Sequence, residues 1–398
     1  MDLIIHPGKL TGNISIIPSK SQAHRMLICA AFADKPTFLD CPDTNRDIEA
    51  TVSCLNALGA NIRRTENGYE ITPVQQIPQT AVLTCRDSGS TLRFLLPVAG
   101  ALGVEASFQL ESRLAQRPLS PLKEEMERMG CEIQFTDSST LQCRGRLLPG
   151  EYRIDGGVSS QFISGLLFAA ALIPGKTHIT ITGKMESRPY IEMTRNAMEI
   201  FGCCTDDFTV SGGQRYKSPG KWVVEGDWSN GAFFLAANSL GSSLTIGNLS
   251  MESLQGDKAA AELLEKLNAD CEVSAADIPD LVPILSIVAA CNHGAVFTDI
   301  QRLRLKESDR VQSVIAMLQG LGGKANATEN TLTVYGTGLT GGTVDCANDH
   351  RIAMSAAIAA TVCNDPVKVI GAECVEKSYP RFWEEYRRLG GNYEQYLR

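Results

Sequence analysis

The sequence lacks the features that would assign it to several common functional classes. Acidic residues outnumber basic ones and give a formal net charge of −8 at pH 7, whereas nucleic-acid binding needs a basic surface. The longest apolar runs, near 165–174 and 278–291, are short or interrupted by proline and aspartate, so neither predicts a membrane-spanning helix. The first ten residues lack the charged and apolar regions of a secretory signal. We therefore expect a soluble, cytoplasmic protein that binds neither nucleic acid nor membrane.

Metal and disulfide signals are also missing, although the chain has 13 cysteines. No two cysteines are spaced as C-x-x-C, and none has a histidine at zinc-finger spacing. Most lie in apolar periodic runs, where cysteine behaves as a small buried hydrophobe. Aromatic residues make up only 6% of the chain, against 35 glycines, which indicates small-residue packing and many tight turns. The sequence predicts reduced thiols and no bound metal.

The length of 398 residues favours two large domains. Five segments resemble one another, each reading as the end of an amphipathic helix, usually closed by glycine and followed by a strand: 55–62, 126–133, 198–205, 264–271 and 318–325. Their spacing of about 55–70 residues is close to that of a repeating βαβαββ unit. We therefore predict an α/β protein with two domains of three such units each.

Five other segments run from a strand through a polar turn into an apolar helix, beginning at 18, 87, 156, 225 and 348. Serine or aspartate at such a turn can simply cap the helix, a contribution of about 0.5–2 kcal/mol. The same turns are rich in hydroxyls and glycine, and three of them carry lysine or arginine. Backbone N–H groups at a helix start, with a cation nearby, form an anion site. The two interpretations stay open for any single turn, but together they indicate substrates with several negative groups.

Charged and polar candidates recur along the chain. The segment 303–310 packs five charged residues, among them Lys306, Glu307 and Arg310, just before an apolar helix. Taken alone it reads as a solvated helix start. Asp349 and His350 form a possible dyad, but no serine or cysteine nucleophile motif accompanies them, so a structural histidine is favoured.

Read in order, the motifs PSKSQAHR, RDSGSTLRF, QRPLSPL, GVSSQF, SRPYIEMT, VEGDWSNGAFFLAA, IPDLVP, LRLKESDR, DHRIAM and KSYPRF resemble those of the 5-enolpyruvylshikimate-3-phosphate (EPSP) synthase family almost from end to end. The resemblance implies two inside-out α/β domains, each of three βαβαββ repeats with its helices buried at the centre. One domain would be discontinuous, 1–12 plus 226–398, and would carry the acid/base residues. The other would run from 13 to 225 and carry most contacts to shikimate 3-phosphate.

The implied reaction belongs to the shikimate pathway of aromatic amino acid biosynthesis. It transfers the carboxyvinyl group of phosphoenolpyruvate to the 5-hydroxyl of shikimate 3-phosphate and releases phosphate, with no metal or organic cofactor. Addition needs a base for the hydroxyl and an acid for the vinyl methylene, and elimination reverses these transfers. The resemblance also leads us to expect a monomer whose two domains close around the substrates.

The resemblance assigns roles to individual residues. Asp280 would accept the proton of the attacking hydroxyl, Glu307 would move a proton at the methylene carbon, and Lys20 would touch both substrates. Shikimate 3-phosphate would be bound by Lys20, Ser21, Arg25, Ser159, Ser160, Ser187, Tyr190, Asp280 and Lys306. Phosphoenolpyruvate would meet Lys20, Gly89, Arg117, Gln161, Arg310, Arg351 and Lys377.

The chain also departs from the family pattern. Only 272–276 separate the helix end at 264–271 from the Asp280 motif, where the family usually has a further strand pair, so the fourth repeat is predicted to be truncated. Arg302 stands where many members carry an asparagine that holds the shikimate ring. The turn around Gly89 reads Asp-Ser-Gly-Ser, and Phe94 replaces a common proline. These changes leave glyphosate sensitivity open.

Two other functions fit the residues less well. The sister transferase that acts on UDP-N-acetylglucosamine shares the fold, but it presents a cysteine on a loop where this chain has RLAQRPL. A non-catalytic protein that binds phosphorylated metabolites would need cations. It would not need the carboxylates Asp280 and Glu307.

Overall fold

The computed structural model describes residues 1–111 and 113–396. The chain forms two compact units. The discontinuous unit combines Met1–Ile17 with Glu225–Arg398, and the inserted unit is Pro18–Val224. The chain therefore crosses from one unit to the other twice.

The chain begins in the discontinuous unit with β1 (Asp2–His6) and β2 (Thr11–Ser15). The motifs predicted a boundary between residues 12 and 13, whereas the units divide after Ile17. The reason is that β2 pairs in parallel with a strand at Ser243–Gly247, so residues 11–15 stay in the discontinuous unit.

The inserted unit contains six of the described α-helices: α1 (Lys20–Ala31), α2 (Arg46–Ala57), α3 (Gly89–Leu102), α4 (Leu122–Arg128), α5 (Ser160–Leu172) and α6 (Arg188–Ile200). Its strands are β3 (Thr37–Asp40), β4 (Asn61–Thr65), β5 (Gly68–Thr72), β6 (Thr80–Arg86), β7 (Glu105–Leu110), β8 (Cys131–Phe135), β9 (Thr140–Gly145), β10 (Glu151–Asp155), β11 (Lys176–Thr182), β12 (Thr209–Ser211) and β13 (Lys221–Val223). They form three sheets with the orders β13-β3-β5-β4, β6-β7-β9-β8 and β10-β11-β12.

Helices occupy the centre of the inserted unit, as the inside-out arrangement predicted. Nearly every residue of α3 and α5 is buried. The two helices approach closely at Gly165, where an added Cβ would lie 2.2 Å from the carbonyl oxygen of Arg93. Their apolar composition on all sides is typical of helices surrounded by other elements.

The discontinuous unit contains the other described helices: α7 (Trp228–Ser239), α8 (Ala260–Lys266), α9 (Val282–Cys291), α10 (Arg310–Gly320), α11 (His350–Ala359) and α12 (Phe382–Arg388). Its remaining strands are β14 (Ser243–Gly247), β15 (Glu272–Ser274), β16 (Gly294–Thr298), β17 (Lys324–Ala327), β18 (Thr331–Tyr335), β19 (Gly342–Asp345), β20 (Val367–Ile370) and β21 (Asn392–Tyr396). The sheet orders are β19-β20-β1-β21, β15-β16-β18-β17 and β14-β2. All ten residues of α11 are buried, so the same inside-out arrangement holds here.

The fourth repeat is truncated, as the short segment 272–276 predicted. After α8 the chain goes directly into β15, which pairs in parallel with β16 of the next sheet. The sheet of the fourth repeat therefore keeps only β14 and β2. The complete sheets of this unit have four strands each, so one antiparallel strand pair is missing from the fourth repeat.

The five polar turns predicted from the sequence do begin helices. The caps of α1, α3, α5, α7 and α11 are Ser19, Ser88, Ser159, Asp227 and Asp349. Each side chain accepts a hydrogen bond from a backbone N–H two or three residues ahead, which satisfies a donor left open by helix geometry. No helix among the described residues is both long and apolar enough to cross a bilayer.

Candidate active site

Arg310 is the centre of a charge cluster in the discontinuous unit. It is the first residue of α10 and its side chain is 1% exposed. Its Nη1 donates to Asp280 at 2.5 Å, its Nη2 to Glu307 at 2.7 Å, and its Nε to Asp349 at 2.8 Å. All three nitrogens of the guanidinium therefore meet carboxylates, and Arg310 fixes Asp280 and Glu307 relative to one another.

Asp280 lies just before α9 and is surrounded by cations. Besides Arg310, Arg351 Nη2 donates to it at 2.9 Å, and Lys306 Nζ lies 3.7 Å away. Burial by itself would raise the pKa of Asp280. Arg351, Lys306 and Arg310 outweigh burial and hold that pKa well below its usual range. The carboxylate is therefore ionised while these cations stay in place.

Lys306 ends a short 3₁₀ helix, Gln301–Leu305, that precedes the cluster. Burial is the main reason that its pKa falls to about 8. Asp280 opposes the change, while the positive charges of Arg302 and Arg310 reinforce it. Arg302, whose role the sequence left open, thus affects this site at least through its charge on Lys306.

Asp349 caps α11 and does not form the dyad with His350 that the sequence left possible. One oxygen accepts from Arg310 and from Ser308 Oγ, at 3.1 Å, while the other accepts from the backbone N–H of Arg351. The Nδ1 of His350 lies 4.0 Å from the carboxylate, beyond hydrogen-bond reach. His350 is 1% exposed, in agreement with the structural role that the sequence favoured.

The two remaining predicted cations of this unit are also buried. Arg351 donates through Nη1 to Ser229 Oγ at 2.6 Å and to the backbone oxygen of Asp280 at 3.3 Å. Lys377 is 8% exposed and ends the 3₁₀ helix Ala372–Lys377. The structure thus groups Asp280, Lys306, Glu307, Arg310 and Arg351 through direct contacts.

In the inserted unit, Lys20 is the first residue of α1 and forms an ion pair with Asp47. The Nζ donates to the carboxylate at 2.9 Å, with the two side chains 16% and 5% exposed. Asp47 lies in the first turn of α2. Sequence reasoning missed Asp47, because its acidic position near a helix start is common and only packing brings it to Lys20.

Arg25 links α1 to α6 through its whole guanidinium. Its Nε donates to Thr194 Oγ1 at 2.8 Å, and its two Nη groups donate to the backbone oxygens of Ser21 and Tyr190 at 2.6 and 2.8 Å. Burial lowers the pKa of Arg25 to about 10. Arg25 therefore holds together the starts of α1 and α6. These helix starts carry four residues that the sequence assigned to shikimate 3-phosphate: Lys20, Ser21, Ser187 and Tyr190.

Ser187 precedes α6 with a left-handed backbone conformation, φ 54°. Such a conformation is uncommon for serine and costs free energy, so the surrounding contacts must hold it. Ser187 is 2% exposed.

The turn at Gly89 has a second group of polar side chains around it. A Cβ at Gly89 would lie 2.7 Å from Arg93 Nη1 and 3.0 Å from Arg117 Nη1, so a larger residue here would require these guanidinium groups to move. Arg93 Nη1 donates to Gln161 Oε1, and Gln161 Nε2 donates to Ser90 Oγ, both at 2.9 Å. Gln161 follows Ser159 and Ser160 at the start of α5. The structure therefore brings Gly89, Arg117 and Gln161 together, with Arg93 as an additional member.

Arg93 is a second residue of these clusters that sequence reasoning did not assign. It is 4% exposed, and its Nη2 donates to the backbone oxygen of Pro118 at 3.3 Å. An arginine inside an otherwise apolar helix start was the available signal. Within the described residues, no group of three or more histidine, cysteine, aspartate or glutamate side chains is arranged to hold a metal ion.

Comparison with known proteins gives consistent matches over the length of the chain. The family model of EPSP synthase (3-phosphoshikimate 1-carboxyvinyltransferase) matches residues 4–386. The 3-phosphoshikimate 1-carboxyvinyltransferase of Clostridium kluyveri is 37% identical over 420 residues, covering 98% of this chain and 98% of the relative. That of Clostridium beijerinckii is 35% identical over 430 residues, covering 99% of each.

Solved structures show the same fold. An EPSP synthase from Acinetobacter baumannii superimposes with a TM-score of 0.81 at 23% identity, covering 99% of both chains. Another structure of an EPSP synthase from that organism gives a TM-score of 0.80 at 22% identity, covering 100% of both chains. At this level of identity the likeness shows the fold.

Proposed function

The chain belongs to the EPSP synthase family, and from this premise we propose how its residues carry out the family's reaction. That reaction transfers the carboxyvinyl group of phosphoenolpyruvate to the 5-hydroxyl of shikimate 3-phosphate and releases phosphate, a step in aromatic amino acid biosynthesis. The enzyme acts on two substrates that are both multiply anionic. The residues that bind them must therefore supply several cations and N–H donors.

The observation that carries the assignment of catalytic residues is the fixed pair of carboxylates around Arg310. Arg310 holds Asp280 and Glu307 with separate nitrogens, at 2.5 and 2.7 Å. Addition to the vinyl group needs a proton removed at one point and supplied at another. We assign the first task to Asp280, at the 5-hydroxyl, and the second to Glu307, at the methylene carbon. In elimination the methyl group loses a proton, the double bond forms again and phosphate leaves.

Substrate binding explains how Asp280 can act as a base although its pKa is held low. Its three neighbouring cations, Lys306, Arg310 and Arg351, are residues to which we assign substrate contacts. When substrate anions share these cations, the carboxylate is stabilised less and its pKa rises towards the value that proton transfer needs. The arrangement thus couples substrate binding to the basicity of Asp280.

We assign the remaining binding residues on the contacts within each unit. Shikimate 3-phosphate is bound by Lys20, Ser21, Arg25, Ser159, Ser160, Ser187, Tyr190, Asp280 and Lys306. Phosphoenolpyruvate is bound by Lys20, Gly89, Arg117, Gln161, Arg310, Arg351 and Lys377. The cluster of Gly89, Arg117 and Gln161 supports the second set, because it joins a helix N-terminus to a guanidinium. Lys20 is assigned to both substrates and is the third catalytic candidate.

The choice of acceptor distinguishes this function from the alternatives. We expect purified protein to release phosphate from phosphoenolpyruvate with shikimate 3-phosphate and not with UDP-N-acetylglucosamine. The family match and the names of the relatives do not favour the second acceptor. The measurement is phosphate release in two parallel assays, one with each acceptor. Release with UDP-N-acetylglucosamine alone, or with neither acceptor, would contradict the proposal.

Lys306 is expected to set the alkaline limit of the reaction. Its pKa of about 8 means that the free enzyme loses this cation as pH rises through that value. The phosphate of the substrate is already a dianion there, since its second pKa is about 6. We therefore expect kcat/KM for shikimate 3-phosphate to fall about tenfold between about pH 7 and about pH 9.

Two variants test this assignment. Lys306→Arg keeps the charge over the whole range and should flatten the alkaline limb. Arg302→Gln removes a charge that lowers the pKa of Lys306, so it should move the limb to higher pH. An alkaline limb that is the same in Lys306→Arg as in the unchanged enzyme would show that another group titrates.

We also propose a cytoplasmic location. The structure has no disulfides within the described residues, and each of the 13 cysteines is a free thiol. Free thiols on this scale suit a reducing compartment. The monomeric state stays a prediction.

A further inference from the structure

A chain of buried side chains connects three helices in the inserted unit. His24 Nδ1 lies 2.8 Å from Thr51 Oγ1, which lies 2.7 Å from Thr91 Oγ1, which lies 2.8 Å from Ser88 Oγ. We call these four residues the hydroxyl relay. All four are between 0% and 1% exposed. The relay starts on α1, passes through α2 and ends at the cap of α3.

The relay runs beside the ion pair of Lys20 and Asp47. Lys20 and His24 are four residues apart on α1, and Asp47 and Thr51 are four residues apart on α2, so each pair shares one helix face. Lys20–Asp47 and His24–Thr51 are therefore two successive links between the same helices. Because Thr91 reaches Ser88, the second link continues to the turn that precedes Gly89.

The hydrogens of the relay can be counted. Ser88 Oγ, as the cap, accepts from the Thr91 backbone N–H and also lies next to Thr91 Oγ1. If Thr91 donates to Ser88, its own oxygen must accept from Thr51, and Thr51 must in turn accept from His24 Nδ1–H. The reverse order would place the imidazole hydrogen on Nε2, where no partner is found. In the first order the hydrogen without an assigned acceptor is that of the Ser88 hydroxyl, which can rotate, whereas in the reverse order it is an imidazole N–H whose direction is fixed by the ring, so the first order is favoured.

We propose that His24 is a positioning residue for phosphoenolpyruvate binding: a neutral imidazole with its hydrogen on Nδ1 orients the hydroxyl relay and so fixes the Gly89 turn relative to Lys20. The inference rests on the proposed function, which assigns Gly89 and Lys20 to phosphoenolpyruvate. His24 itself does not touch the substrate. Its effect passes through Thr51, Thr91 and Ser88.

The surroundings of His24 keep it neutral. Burial is the main cause that lowers its pKa to about 3, and the positive charges of Lys20 and Arg25 on its own helix act in the same direction. Asp47 on α2 opposes them. On α3, the Phe94 ring lies edge to face with the imidazole, with ring centroids 6.4 Å apart. A positive charge on His24 would disturb the cations beside it.

Thr51 offers the cleanest substitutions, because valine keeps its shape and serine keeps its hydroxyl. We expect Thr51→Val to raise KM for phosphoenolpyruvate about tenfold, because it removes roughly one hydrogen bond from the relay that positions the Gly89 turn. The value of kcat should change by less than about threefold, since no group that transfers protons is altered. Thr51→Ser should restore KM to within about twofold of the unchanged enzyme.

A matched control is Thr177→Val. Thr177 is in the same unit, on β11, and is 1% exposed, with no hydrogen-bond partner found for its Oγ1. The Thr177→Val substitution should leave KM for phosphoenolpyruvate unchanged. Two results would contradict the positioning role of the relay. One is a Thr51→Val enzyme with the same KM as the Thr177→Val enzyme, and the other is a Thr51→Ser enzyme as impaired as Thr51→Val.

The hydrogen on His24 can be observed in the unchanged protein, and a variant is needed only to assign its signal. The chain has only five histidines, so two-bond ¹H–¹⁵N correlations of the unchanged protein can be resolved, and His24→Asn assigns the signal. We expect the Nδ1–H tautomer throughout about pH 6 to 8. An Nε2–H tautomer or an imidazolium would overturn the proposal. Absence of turnover in the unchanged enzyme would instead contradict the proposed function, and the tautomer would still be measurable.

Discussion

Replacing Asp280 by asparagine is expected to lower kcat by about 10²–10⁴-fold, the range that a positioned general base contributes. The substitution keeps the shape of the side chain and its contact with Arg351. It removes the negative charge that accepts the proton of the 5-hydroxyl. Glu307→Gln should give a loss in the same range, since the amide cannot deliver a proton to the methylene carbon.

Binding and turnover should respond differently in these variants. Asp280 lies among Lys306, Arg310 and Arg351, so removing its charge leaves more positive charge for an anionic substrate. The loss of the Asp280 contact to the substrate acts in the opposite direction, so we expect the Kd of shikimate 3-phosphate, measured by calorimetry, to change by less than about threefold. Asp277→Asn is the matched control, because Asp277 is an exposed carboxylate in the same segment. Full kcat in either Asp280→Asn or Glu307→Gln would remove that residue from its assigned role.

Replacing Arg310 by methionine is expected to have the largest effect on stability. The side chain is 1% exposed and meets three carboxylates, of which Asp349 is 0% exposed and Asp280 and Glu307 are 20% and 16% exposed. Removing one partner of a buried ion pair leaves an uncompensated charge and costs about 3–5 kcal/mol of unfolding free energy. Denaturant unfolding, with kcat measured on the folded fraction, gives both effects.

The loss of unfolding free energy in the Arg310→Met variant should depend on pH in a defined direction. Arg310 is one of the cations that hold the pKa of Asp280 well below its usual range, so that pKa rises when Arg310 is removed, and the folded variant takes up this proton at a higher pH than the unchanged protein does. The stabilisation that Arg310 gives to ionised Asp280 is lost as pH falls below the ordinary pKa of aspartate, so the difference in unfolding free energy should be smaller at about pH 3 than at about pH 7.

Arg304→Met is the control, because Arg304 is 31% exposed and lies 3.7 Å from Asp309. The Arg304→Met substitution should lower the unfolding free energy by less than about 1 kcal/mol. A cost for Arg310→Met as small as that for Arg304→Met would show that the charge cluster contributes little to folding.

Much of the fold could be predicted because it depends on local rules. The caps of the five central helices bond to N–H groups two or three residues away, so Ser19 or Ser88 identifies a helix start without knowledge of the rest of the chain. The shortened fourth repeat was likewise visible in the small number of residues, 272–276, between the helix end at 264–271 and the Asp280 motif. Motif order then led to the family, and family membership follows from the comparisons.

The first domain boundary shows where local rules end. Residues 11–15 carry no signal that distinguishes one unit from the other. Their position is decided by pairing with β14, whose residues lie more than two hundred positions later in the chain. A strand can pair with any compatible edge, and only the completed sheet selects one.

The sequence by itself determined the repeats, the helix starts and the types of residue at the site. Only the tertiary structure decided which of these residues meet. Of the three carboxylates around Arg310, Glu307 is three residues away on the chain, while Asp280 and Asp349 are 30 and 39 residues away. The same holds for Asp47 beside Lys20 and for Thr51 beside His24, each 27 residues apart. Helix geometry relates residues three or four positions apart, whereas contacts between helices depend on how their buried faces pack.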